Sequence, residues 1–138
     1  KIKVSPHLIR APQEIPDEQV QKFYTSLLDV VKKPLYRNGR WRLLESIPAW
    51  DGNGSWDAFV AYAWEGDDRE LSLVVVNNAP HDSQCYLLLP FPELAGGQWQ
   101  LEDIMNGVSY DRNGNDLLIK GLYLGMKPWQ YHVFEVRK

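Results

Sequence analysis

The sequence predicts a mainly β domain, an antiparallel sandwich or barrel of seven or eight strands with one helix at its N-terminal end. Three observations carry this. A single segment, Asp17 to Lys33 (DEQVQKFYTSLLDVVKK), sustains a helical period. After Pro34 the chain breaks into short apolar runs at regular spacing, separated by Gly, Asn, Asp and Pro, the pattern of consecutive antiparallel strands. Within one run, Leu73, Val74, Val75 and Val76 place apolar side chains on both faces, which marks a strand inside a sheet rather than at its edge.

The helix comes first. Val20, Phe23, Tyr24, Leu27, Leu28 and Val31 recur at the i, i+3, i+4, i+7 spacing that gathers them into one apolar stripe. Asp17 and Glu18 stand at the positive end of the macrodipole and Lys32 and Lys33 at the negative end, and Pro34 cannot continue the ladder. Such a stripe must be buried somewhere, either on the β domain as a lid or on a neighbouring domain. Lys1 to Pro16 ahead of it is an extended segment with three prolines, in which His7 and Arg10 read as solvated or capping groups.

The strands follow in order. Trp41 to Glu45 comes after the Asn38-Gly39 turn signal, then Ala58 to Trp64, Leu71 to Asn77 and Gln84 to Leu89, the last closed by Pro90 and Pro92. Trp99 and Leu101 alternate with Gln98, Gln100 and Glu102, as in a strand with one wet face. Val108 to Asp111 and Leu117 to Ile119 flank Asn113-Gly114 as a hairpin, and Leu122 to Leu124 either continues the second of these or stands alone. Gln130 to Val136 is the last strand.

Composition bounds the function. The 138 residues suit one domain, and 44% apolar content is enough for a core. A net charge of -3 with scattered basic residues argues against a nucleic-acid or anionic-membrane surface. One cysteine excludes an internal disulfide, and no apolar run approaches a transmembrane length. The first residue is lysine, so the sequence reads as a fragment or processed chain, and the compartment stays open.

Few residues suggest chemistry. Asp51 to Asp57 and Asp111 to Asp116 offer oxygens like calcium loops, yet Trp56 replaces the sharp-turn glycine in the first, and Tyr62 and Leu122 stand where the last acidic ligands belong; both read as plain turns. His7, His81 and His132 show no paired metal spacing, so no metal site is expected. Cys85 sits in an apolar strand as an inert thiol. No nucleophile elbow or phosphate loop occurs, and no cofactor is implied. Glu65, Asp67, Asp68 and Glu70 crowd a polar turn, where solvent leaves no means of tuning a catalytic carboxyl. The six tryptophans are the remaining signal. Trp41, Trp64 and Trp99 lie inside strands and read as core, and Trp129 as a packing anchor, whereas Trp50 and Trp56 in the loop DGNGSWD are the best candidates for exposed sugar-stacking rings.

The order of these elements resembles a known family. Phe23-Tyr24 and Leu27-Leu28, then Pro34-Leu35, Arg37, Gly39 and Trp41-Arg42-Leu43-Leu44, then Leu73 to Asn77, and finally Pro128-Trp129 with His132-Val133-Phe134, resemble the C-terminal part of an α-amylase-family glycoside hydrolase (family 13). The segment Ser5 to Glu14 is similar to the stretch after the last barrel strand in some members. The resemblance covers nearly the whole chain and rests on order and spacing, since each motif consists mostly of packing and turn residues.

What the resemblance implies is specific. Residues 1–34 would be the end of a (β/α)8 barrel and residues 35–138 a Greek-key β-sandwich, the family's domain C. The family's catalytic carboxylates lie on upstream barrel strands, so no catalytic residue carries over, and a two-carboxylate hydrolysis needs both groups across one sugar site. The expected role is therefore non-catalytic, with the catalytic barrel of the same parent chain as partner. The alternative is a carbohydrate-binding module that contacts α-glucan through Trp50 and Trp56. A helix stripe built to face a barrel also predicts that the isolated chain self-associates through it.

Overall fold

The computed structural model describes residues 18–138. The segment 1–17, with Asp17 at the expected helix start, and the side chains of Val20, Phe23 and Tyr24 lie outside the described residues. Helix α1 spans Glu18–Val31 and α2 Pro34–Asn38. Proline serves as the first residue of α2, where its missing N–H and fixed φ cost nothing. Nine strands follow: β1 Arg40–Leu43, β2 Ser46–Ile47, β3 Phe59–Glu65, β4 Leu71–Asn77, β5 Ser83–Leu87, β6 Gln98–Asp103, β7 Val108–Asn113, β8 Leu122–Met126 and β9 Tyr131–Arg137. A third helix, α3 (Gly114–Ile119), separates β7 from β8.

The strands form two antiparallel sheets, one of six in the order β1-β3-β4-β9-β6-β7 and one of three in the order β2-β5-β8. Leu73 and Val75 of β4, Leu101 of β6 and Phe134 of β9 meet Cys85 and Leu87 of β5 and Leu122 and Leu124 of β8 in one buried cluster. The chain changes sheet at Leu44 and Glu45. The Leu44 amide still bonds Ala61 of β3, while the Glu45 carbonyl already accepts from Leu88, beyond β5. The two-residue strand β2 that results is too short to leave any period in the sequence.

Two expectations are corrected. Asn113-Gly114 does not turn a hairpin, and Leu117 to Ile119 is not a strand. Asn113 caps α3, its side-chain oxygen accepting from the Asp116 amide at 3.1 Å. Gly114 is needed there because a Cβ would stand 1.7 Å from the Leu94 carbonyl oxygen, and Gly121 ends the segment with φ 93°. Asn113 before and Gly121 after the segment are helix punctuation, and Asn113-Gly114 resembles a turn pair only in sequence. Leu122 to Leu124 accordingly forms part of a separate strand, β8, in the second sheet.

The aromatic expectations divide similarly. Trp99 is core, its indole N–H donating to the Leu94 carbonyl at 2.9 Å. Trp41 is not, because β1 is an edge strand whose alternate side chains point away from the second sheet. Trp129 is exposed as well, on a backbone with φ 60°, rather than anchoring the last strand. Trp64 is half-buried beneath Tyr36, with ring centroids 6.0 Å apart at 70°.

Candidate functional site

The feature that asks for a function is the face of the six-stranded sheet turned away from the core. Pairing registers define its cross-strand rows. Leu43, Tyr62, Val74 and Val133 stand opposite one another across β1, β3, β4 and β9, and Val60, Val76 and Tyr131 form a second row. An antiparallel sheet with one wet face should carry polar side chains at these positions. Here they are aliphatic or aromatic. Leu43 is 64% exposed, Trp41 55% and Val60 44%. Trp41 rests on Tyr62 with ring centroids at 5.9 Å, which presents the indole as part of a continuous apolar surface.

A third row, Trp41, Trp64, Ser72 and Glu135, is partly covered by the helices. Tyr36 of α2 packs edge-on against Trp64, and its hydroxyl hydrogen-bonds that of Ser72. Lys33 reaches Glu135 with an Nζ to Oε2 distance of 2.7 Å. Burial pushes the Tyr36 phenol up, and the Ser72 bond only partly offsets it, so the group stays a neutral donor or acceptor. The helices thus close one end of the face; in the two aliphatic rows Val133 is buried and Tyr62, Val74, Val76 and Tyr131 are half-buried, so the exposed part is the β1–β3 side, at Leu43 and Val60. On α1 itself Val30 is buried and Leu27 half-buried, but Leu28 is 56% and Val31 44% exposed. The described part of the helical stripe is therefore only partly covered by this domain.

The loop expected to carry sugar-stacking rings separates its two tryptophans. Trp50 is 52% exposed at a turn closed by the Asn53 amide on the Trp50 carbonyl at 3.1 Å. Trp56 is half-buried against the core. Between them Asn53 accepts from the Ala49 amide, and Ser55 accepts from the Gln84 amide at 2.9 Å. The Asn53 and Ser55 side-chain oxygens are thus engaged inside the turn, while Asp51 and Asp57 are exposed. Among the described residues no group of three or more His, Cys, Asp or Glu side chains gathers as metal ligands.

The other titratable groups have plain surroundings, with one exception. Asp67, Asp68 and Glu70 lie exposed at the β3–β4 tip, and Cys85 is wholly buried, where desolvation pushes its thiol up to about 12. The exception is a pair that sequence reasoning missed. Asp103, at the end of β6, and His132, near the start of β9, meet inside the sandwich with Oδ2 and Nδ1 2.6 Å apart. Burial alone would raise the Asp103 carboxyl, but hydrogen bonds from His132, Asn106 and the Met105 and Val133 amides outweigh it and hold the group below the usual carboxylate range. The available signal was alternation, which sets His132 on the same inward face as Phe134 and Val136.

No protein-family model matches the chain, and no curated protein matches it. Among solved structures it is similar to the trehalulose synthase MutB from Pseudomonas mesoacidophila MX-45, with 23% identity over 99% of this chain and a TM-score of 0.55. An inactive MutB variant in complex with isomaltulose aligns at 20% identity over 83% of this chain, with a TM-score of 0.49. The chain spans only 22% and 17% of the lengths of those two proteins. At this identity the first likeness establishes a shared fold.

Proposed function

We propose that this chain is the non-catalytic C-terminal region of an α-amylase-family glycoside hydrolase, and that its open sheet face packs against the catalytic barrel and shields it. The observation that carries the reading is the apolar face of Trp41, Leu43, Val60 and Tyr62. A (β/α)8 barrel presents a ring of helices on its outside, and a flat apolar sheet is a surface on which helices pack. Burying an exposed leucine or valine contributes about 1.5–3 kcal/mol, so covering Leu43 and Val60, with the Trp41 ring beside them, favours such an interface. The order of motifs along the chain supports the same family, and so does the fold shared with part of trehalulose synthase, itself an α-amylase-family enzyme. In this reading residues 1–34 close the barrel and residues 35–138 form the shielding domain. The chain alone hydrolyses no glycosidic bond, and releases no reducing sugar from starch or maltose.

A single cysteine placed on the face tests this. In a Leu43→Cys variant, the thiol of the 138-residue chain labels rapidly with a maleimide, since residue 43 is exposed and Cys85 is buried. In a longer protein that includes the barrel, the same thiol is protected. Equal labelling rates in the two contexts would remove the proposal. The carbohydrate-module alternative retains Trp50 as its exposed ring, and starch affinity electrophoresis separates the two, because the shielding role predicts little retardation and no effect of Trp50→Ala or Trp56→Ala.

A further inference from the structure

Four Asn–Gly pairs and one Asp–Gly pair lie among the described residues: Asn38-Gly39, Asn53-Gly54, Asn106-Gly107, Asn113-Gly114 and Asp51-Gly52. At each, the glycine amide nitrogen can attack the side-chain carbonyl carbon of the residue before it, because glycine puts no Cβ in the way. The fold treats the five differently. We infer that Asp51-Gly52 is a modification site, at which Asp51 converts to isoaspartate through a cyclic succinimide while the fold protects the four asparagines. The site lies in the loop ahead of β3 and does not depend on the barrel-shielding role.

The attacking nitrogen is already committed in three of the asparagine pairs. The Gly39 amide donates to the Leu35 carbonyl at 2.9 Å, the Gly107 amide to the Asp103 carbonyl at 2.7 Å and the Gly114 amide to the Gly97 carbonyl at 2.7 Å. Attack would break each of these bonds. Two of the side chains are held as well, Asn106 by Nδ2 donating to Asp103 at 2.8 Å and Asn113 by accepting from the Asp116 amide at 3.1 Å. In the fourth pair the side chain is the locked part. Asn53 is buried, its oxygen accepts from the Ala49 amide at 3.1 Å, and its nitrogen donates to Ser55 at 3.2 Å.

Asp51-Gly52 carries no such lock. Both residues are exposed, and among the described residues no hydrogen bond or ion pair engages the Asp51 carboxyl or the Gly52 amide. Gly52 has φ 83°, and a Cβ built there would meet nothing within 4 Å, so the peptide has open space to rotate into. The Asn53 amide bonds the Trp50 carbonyl at 3.1 Å and closes the turn around the pair without using either reacting atom. Glycine accepts φ of either sign, so the Asp51–Gly52 peptide can turn over within that frame.

The chemistry conserves atoms and needs no oxidant or cofactor. The Gly52 nitrogen bonds to Asp51 Cγ, a Cγ–O bond breaks, and that oxygen leaves as water with the amide proton and the carboxyl proton. The product is a five-membered imide. Water then adds to one of its two carbonyls. Opening at Cγ restores aspartate, whereas opening at the main-chain carbon leaves the chain running through Cβ and Cγ, with the former main-chain carbon as a free carboxylate. Isoaspartate thus inserts one extra main-chain atom between Trp50 and Asn53. The bond that closes this turn loses its register, and the loop that carries Trp50 is reset.

Ageing the folded 138-residue chain at pH 7 and digesting it with trypsin tests this, because cleavage after Arg42 and Arg69 places Asp51 and Asn53 in one peptide. Electron-transfer fragmentation, which cuts the isoaspartyl Cα–Cβ bond, should show isoaspartate accumulating at residue 51. Asn38, Asn53, Asn106 and Asn113 should show no deamidation over the same period. In urea the order should invert, since an asparagine amide leaves as ammonia more readily than a carboxyl leaves as water. In a folded Asp51→Asn variant, residue 51 should deamidate at least about tenfold faster than any of the four native asparagines, the factor that one hydrogen bond of protection supplies. Asp51→Glu should abolish the reaction, because its ring would need six members. The Asn53 amide should lose exchange protection in step with the isoaspartate. Native asparagines that deamidate as fast as residue 51 of Asp51→Asn overturn the inference. So does a folded chain without isoaspartate at residue 51 when the urea-treated chain has formed it. The maleimide experiment bears only on the sheet face, so the two proposals fail separately.

Discussion

Asp103 and His132, 29 positions apart, close a 2.6 Å contact between the ends of β6 and β9 in which every other donor around the carboxylate also converges. Met105 and Asn106 donate backbone N–H groups to Oδ1, the Asn106 side chain donates to Oδ2 at 2.8 Å, and Val133 adds a backbone bond. The folded state thus prefers the ionised carboxyl more strongly than the unfolded chain does. Its folded pKa lies below the unfolded value near 3.9, so the unfolded chain binds more protons in the window beneath that value. The stability it contributes is complete above about pH 5 and is lost as the pH falls through about 4 and below.

Asp103→Asn should therefore cost about 1.5–3 kcal/mol at pH 7, the range for charge-assisted bonds. The variant and the parent should converge as the pH is lowered toward 3. Urea unfolding at pH 7, 5 and 3 measures both. A constant difference across the three pH values would mean that the carboxyl charge contributes nothing to the fold.

A second prediction concerns the tip between β3 and β4. Asp68 and Arg69 have φ of 56° and 64°, and the Glu70 amide bonds the Asp67 carbonyl at 3.2 Å, the arrangement of a type I′ turn. That turn favours Asn-Gly, and a side chain held in the left-handed region costs about 1–2 kcal/mol. Arg69→Gly should raise stability by about 0.5–1 kcal/mol, since glycine's larger unfolded-state entropy offsets part of the relief. Arg69→Val, β-branched, should lower it. The urea midpoint is the measurement, and a lower midpoint for the glycine variant would show that Arg69 makes contacts worth more than its strain.

Cys85 supplies a third. A thiol with no exposure and a pKa pushed up to about 12 has almost no thiolate at pH 8. A disulfide reagent should modify the native chain only at the rate of unfolding, and modify it at once in urea. Rapid modification without denaturant would place the β5–β8 layer among low-stability, locally opening segments.

The sequence revealed whatever is written locally. Gln98, Trp99, Gln100 and Leu101 alternate as they do in β6, and the doubly apolar run at Leu73 to Val76 sits between β3 and β9 in the sheet. What was hidden depends on partners distant in sequence. Trp41 looks like a core residue until β1 is known to be an edge strand, and Asn113 looks like a turn residue until Gly114 is seen against the Leu94 carbonyl. The apolar sheet face was legible in part, because Val74 and Val76 pointed to a covered second face. Its continuation through Tyr62 to Leu43 required the register. Neither Asp103 nor His132 carries a motif of its own, so only the pairing of β6 with β9 brings them together.

The last prediction concerns α1. Its stop before Pro34 was readable, yet Leu28 and Val31 of the expected stripe remain more than two-fifths exposed, and the one described apolar side chain of α1 that is buried, Val30, lies outside that stripe. Each exposed leucine or valine that finds a cover gains about 1.5–3 kcal/mol. Two chains placing these stripes together would satisfy both at once by an isologous contact. The isolated chain should therefore self-associate in the micromolar range, and Leu28→Lys should shift it toward monomer. Val108→Lys, an equally drastic change in the β6–β7 hairpin, should not. Multi-angle light scattering over a concentration series decides it. A monomer at every concentration, with α1 amides well protected from exchange, would mean that the helix is held by its own domain. Dissociation by Leu43→Lys rather than Leu28→Lys would move the contact to the sheet face.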